Sequence, residues 1–153
     1  MLLFHVTYAE FRSPSSGLLG SSVIKYGTMT RGMAEANFSK AIIQFEKEYL
    51  GRGPLDARTF FLGDMILVRL KGLMTPAEQK LAAESDGRDL VKEMRRQLFE
   101  SSRPMLEEIV DTVVGAHVVS LHTDMSTKSG ERMIILVVDT DLDKKFPPAK
   151  GKR

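Results

Sequence analysis

The chain has 153 residues, 42% apolar and 27% charged, an ordinary globular balance long enough for one real core. It has no cysteine, which removes disulfides, thiolate metal sites and a cysteine nucleophile together and fits a reducing cytoplasm. Its net charge of +2 is too small to argue for a nucleic-acid binder, and no apolar run is long enough to span a bilayer. Residues 1–33 read as an extension outside the domain. They begin apolar but are broken by His5, Glu10 and Arg12, lack a basic leader, and pass through the linker-like "SPSSGLLGSS". The segment is expected to be disordered, or to be upstream sequence translated ahead of a true start at Met29 or Met33.

Residues 34–139 carry the domain pattern. Phe38, Ile42, Phe45 and Tyr49 recur at helical spacing, with Lys40, Gln44, Lys47 and Glu48 elsewhere, so an amphipathic core helix is expected. "GRGP" follows. Gly51-Arg52-Gly53-Pro54 comes after a helix and before a strand, the reverse of a phosphate loop. Gly51 suits the left-handed position after a helix, and Gly53 before proline favours an extended backbone, so a stop signal is the better reading. Arg58 to Leu70 reads as a hairpin turning at Leu62-Gly63-Asp64. In its second strand Ile66, Val68 and Leu70 face the core, and Met65, Leu67 and Arg69 face away.

"MTPAEQ" next predicts a capping box, with Thr75 as N-cap, Pro76 in the first turn and Glu78 three residues on. Residues 88–114 form a long helical pattern. Leu90, Val91, Met94 and Leu98 share one face, and Leu106, Ile109, Val110 and Val113 continue it. Pro104 should kink or divide the helix, and Gly115 should cap it. "HVVSLHT" and "RMIILVV" then flank the polar connector "DMSTKSGE" as a second hairpin. Residues 140–153, charged and proline-containing, are expected to form a flexible tail. The predicted class is α+β, in the order α-ββ-α-α-ββ: a four-stranded antiparallel sheet of two hairpins with helices packed on one face.

No catalytic constellation emerges. His122 and Asp124 share a strand face, but a zinc site needs three or four converging ligands, so no metal, no cofactor and no enzyme activity are expected. Arg52, Arg58, Arg95 and Arg96 are the candidate binding residues. Arg52 could instead bond helix-end carbonyls, and Arg58 could pair with a carboxylate such as Asp64.

One stretch, "FEKEYLGRGPLDARTFFLGDMILVRLKGLMTPAEQKLA", resembles the MpsC-like family of small bacterial proteins. The resemblance rests on Gly51, Arg52, Gly53 and Pro54, on Ala57-Arg58, on Asp64, and on Thr75, Ala77 and Glu78. The helix around Arg95 and Arg96, Gly115 and the last strand pair also fit. It covers about residues 34–139 and supplies no catalytic residues. The family name, a sodium-translocating membrane-potential-generating system, implies a cytoplasmic accessory or regulatory protein. Such a protein would contact a protein partner, such as an integral membrane protein, and not conduct ions itself. The alternative is an anion- or nucleic-acid-binding module built on the four arginines. The nearly neutral charge weighs against nucleic acid.

Overall fold

The computed structural model describes residues 29–151. The expectations for residues 1–28 fall outside it. Helix α1 (Arg31–Tyr49) opens the fold, with the Thr30 side chain accepting from the Met33 N–H at its start. The domain therefore begins a few residues earlier than the periodicity suggests. Met29 packs on the core, and the Arg31 guanidinium reaches the Phe61 carbonyl and, at 2.8 Å, the Asp143 carboxylate. Phe38, Ile42 and Phe45 are buried as their spacing predicts.

Leu50 closes α1 and Gly51 follows with φ +87°, so the glycine-rich loop is a helix stop. Strands β1 (Asp56–Leu62) and β2 (Met65–Lys71) pair around the two-residue turn Gly63-Asp64. Helix α2 (Pro76–Leu81) carries both bonds of the capping box: Thr75 accepts from the Glu78 N–H, and Glu78 accepts from the Thr75 N–H.

Pro104 divides the long helical pattern in two, α3 (Ser85–Ser101) and α4 (Arg103–Val114), with Ser102 at the joint. Gly115 ends α4 in the left-handed conformation at φ 66°. Strands β3 (Val118–Ser126) and β4 (Glu131–Val138) form the second hairpin. Both run further than expected, so that Asp124, Met125 and Ser126 belong to β3 and not to the connector.

The sheet is antiparallel throughout, in the order β1-β2-β4-β3, with β2 and β4 joining the two hairpins. Phe61, Ile66, Val68, Leu70, Ile134, Leu136 and Val138 point to one face and meet α1 and α4. The α+β class with one-sided helices is what the sequence predicted. The C-terminal segment differs from expectation. Residues 140–146 fold back as the short helix α5 (Leu142–Lys145), with Asp141 capping its start and both Leu142 and Phe146 fully buried. Phe146 lies 5.5 Å from Phe61, ring centre to ring centre. Charge hid this segment, but two apolar side chains four residues apart are enough to seat one helical turn.

Helix α3 touches the fold along one narrow line. Only Gly87, Val91, Arg95 and Phe99 are buried, at strict spacing of four. Gly87 permits this approach, because a Cβ there would sit 1.9 Å from the Leu81 carbonyl oxygen. Gly87→Ala should therefore push α3 off α2 and cost about 1–3 kcal/mol, seen as a lower Tm. Gly32→Ala meets nothing within 4 Å and should leave Tm unchanged or slightly higher.

Candidate functional site

Two features stand out from the covered core: an ionic cluster under α3 and an apolar ridge on top of it. The cluster begins with Arg95, buried on the line by which α3 meets the fold. Its guanidinium donates to both Glu78 carboxylate oxygens at 2.8 Å and to the Leu73 carbonyl at 2.8 Å. This is a bidentate pair of the kind a rigid planar fork makes. Burial alone would raise the Glu78 carboxyl, but the bonds from Arg95 and Thr75 outweigh it and hold the group below its ordinary value.

Deeper in lie Glu46 on α1, with no exposed surface, and Arg132 on β4, 2% exposed. Neither Glu46 carboxylate oxygen has a hydrogen-bond partner, nor do Nε and Nη1 of Arg132. Arg132 instead stacks 4.7 Å above the Phe99 ring centre, and Phe99 meets Phe45 edge-on. Burial drives the Glu46 carboxyl up to about 7, against the pull of the Arg132 and Arg95 charges. The same burial lowers Arg132. Both residues sit on core-facing periodicities. Glu46 is four residues after Ile42, and Arg132 is in phase with Ile134, Leu136 and Val138. That phase was the signal available for finding them.

A small cavity of about 200 Å³ opens beside this cluster, between α3 and β3–β4. Its rim is electrically balanced. Lys92 pairs with Asp124 at 3.1 Å, and Arg96 pairs with Glu93 at 2.7 Å. Such matched charges present no strong field to an anion. A wider depression of about 940 Å³ lies toward the β3–β4 turn and exposes Arg88 and Lys128.

The four candidate arginines do not converge. Arg52 donates to the Met74 carbonyl at 3.4 Å, and not to the end of α1. Arg58 stands exposed on the uncovered face of the sheet, beside Asp56 at 3.6 Å and not Asp64. Arg95 is internal, and only Arg96 is on the surface near it. His117 bonds Asp139, whereas His122 meets only the Ser120 hydroxyl. Among the described residues no group of three or more His, Asp or Glu is placed to hold a metal ion. No helix among them is long and apolar enough to cross a membrane.

The ridge is the other half of the α3 pattern. Leu90, Met94 and Leu98 were expected to share one helix face with Val91. They lie instead on the surface, 60%, 42% and 40% exposed. One turn of helix separates each from the next, so they form a continuous apolar line. Asp89, Glu93 and Gln97 flank it, with Glu93 accepting from Gln97, while Arg96 lies on the far side of α3, where it lines the small cavity.

Residues 30–140 match the family described as the Na+-translocating membrane potential-generating system, MpsC. The chain belongs to the MpsC family. The match takes in every strand of the sheet and helices α1 to α4. The MpsC chain is also similar to two proteins of Bacillus subtilis (strain 168). One, "Uncharacterized protein YbcI", is 41% identical over 115 residues, 75% of this chain and 93% of the relative. The other, "Uncharacterized protein YrhF", is 27% identical over 107 residues, 69% of this chain and 88% of the relative. No solved structure matches.

The ionic cluster generates two predictions. Arg95→Ala leaves the half-buried Glu78 carboxylate and the Leu73 carbonyl without their cation and should destabilise the fold by about 2 kcal/mol, with Arg95→Lys recovering little because a point charge cannot reproduce the planar fork. Urea unfolding measures it. The second concerns pH. Glu46 titrates near 7 in the folded state, above its ordinary 4.5, so the folded state holds that proton more tightly. The resulting stability is complete below pH 4.5 and is lost as pH rises through 7. Glu46→Gln should flatten the fall in unfolding free energy between those limits.

Proposed function

We propose that this MpsC-family chain is an accessory or regulatory protein of a membrane ion-transport system, acting by contact with another protein and performing no chemistry itself. The observation that carries this reading is the Leu90–Met94–Leu98 ridge. It is an apolar line on an exposed helix, with Asp89, Glu93 and Gln97 along its outer side. Such a line is wasted against water, and it matches the apolar stripe of a partner helix laid alongside α3. Asp89 and Glu93 then act as rim charges that fix the partner's register more than its affinity. The partner of this description is an amphipathic helical segment of an integral membrane protein. The family description supplies the membrane system.

Site-specific photocrosslinking in native cells tests the reading. A photoreactive residue at Met94 should trap an integral membrane protein, and one at Lys40 on α1 should not. Leu90→Glu with Leu98→Glu should abolish the adduct while leaving Tm unchanged, because both positions are exposed. Adducts only to nucleic acid, or equal trapping from both positions, would overturn it.

A further inference from the structure

One cation of the interior has no counterpart. Arg132 is 2% exposed, and its Nε and Nη1 meet no acceptor. Glu46 lies close enough to feel the Arg132 charge, yet neither of its oxygens accepts a hydrogen bond from it. A guanidinium held this way carries the penalty of leaving water with nothing to offset it. Orphaned buried donors of this kind call for a partner.

Arg132 forms part of the wall of the cavity of about 200 Å³ between α3 and β3–β4. That is roughly the share of seven waters in the liquid. It is too small for a drug-sized ligand and large enough for an ion with a few carbon atoms. The walls differ in character. Arg95, also buried, lines the cavity but is committed to Glu78 and the Leu73 carbonyl. At the mouth the Lys92–Asp124 and Arg96–Glu93 pairs cancel, and Asp89 stands exposed to water. Met125, 4% exposed, supplies an apolar wall, packed with Met74 and Val91. With those pairs set aside, Arg132 is the unmatched charge of the interior whenever Glu46 is protonated.

We infer that this cavity binds a small monocarboxylate, its oxygens on the Arg132 guanidinium and its short carbon chain against Met125. A planar carboxylate is the natural complement of a guanidinium. One negative charge balances the interior, whereas a dianion would set its second charge against Glu93 and Asp124 at the mouth. The guanidinium is already stripped of water in the fold, so its desolvation is not a further cost of binding. Glu46 is the internal competitor. Arg132 from β4 and Arg95 from α3 are the charges that act on it. Once ionised, Glu46 supplies the counter-charge that the ligand would otherwise bring. Ligand and Glu46 proton are therefore bound together, each favouring the other. Burial, which holds that proton up to about pH 7, keeps Arg132 available below neutrality.

Titration of the full chain with sodium acetate, followed by amide NMR at constant ionic strength, is the test. The amides of Lys92, Met125 and Arg132 should shift saturably with acetate and not with chloride at the same concentration. Propionate should bind up to about fourfold tighter, its extra carbon lying on Met125. Arg132→Met should weaken acetate at least about 10-fold while the spectrum stays dispersed, because exchanging a buried ion for an apolar side chain is often neutral for stability. Between about pH 6 and about pH 8 the affinity should fall about 10-fold as Glu46 ionises. Glu46→Gln should hold it at the acid value throughout. Shifts that do not saturate, that chloride reproduces, or that survive Arg132→Met overturn the inference, leaving a cavity that holds only water. An affinity that ignores pH overturns it as well, because Arg132 then has its counter-charge whether or not the ligand is bound. The cavity lies on the flank of α3 away from Leu90, Met94 and Leu98, so loss of acetate binding and loss of the α3 adduct are separate results.

Discussion

Glu78 accepts from two sources at once. It closes the first turn of α2 by accepting from the Thr75 N–H, and it receives the fork of Arg95 from α3. One carboxylate therefore fixes a helix start, the angle between two helices and the seat of α3 on the sheet. The rest of α3 contributes little to its own attachment, since its buried line is one residue wide. That narrowness is what leaves Leu90, Met94 and Leu98 outside. Held by a wider apolar face, α3 would have had no surplus to present.

The sequence was most informative where local chemistry decides structure. Thr75-Pro76 with Glu78 specified a helix start without reference to any neighbour, and Gly51 and Gly115 marked helix ends through backbone conformation alone. Ile66, Val68 and Leu70 announced their face by alternation. Periodicity failed on α3, because it reports that a helix has an apolar side and not how much of that side finds a partner. Val91 and Leu90 are neighbours on the same helix, yet one is buried and the other is not. Arg95 was read as a candidate binding residue. Its burial depends on a carboxylate seventeen positions away, which no local pattern encodes. Charge likewise concealed α5, whose two buried residues are separated by three charged ones.

The buried Glu46–Arg132 pair has a different character. Both groups lie where apolar residues would pack at least as well, and each lacks hydrogen-bond partners. Replacing such pairs with apolar residues is often neutral or stabilising. Their presence in the core links this fold to proton activity close to neutrality, through a carboxyl that packing alone holds near pH 7.

The strand order carries a consequence for synthesis. The two inner strands, β2 and β4, pair Ile66 with Leu136 and Leu70 with Arg132, residues that are far apart in the chain. Each hairpin can form as soon as it leaves the ribosome, but the first must wait for nearly the whole remaining chain before its inner edge is paired. During that interval β1 and β2 show apolar residues on both faces. Such long-range pairing slows folding, because the loop between the partners must be closed first. A nascent chain lacking only β4 and α5 would hold α1 to α4 and three of the four strands, yet only β1 and β2 would be paired and no core would be closed.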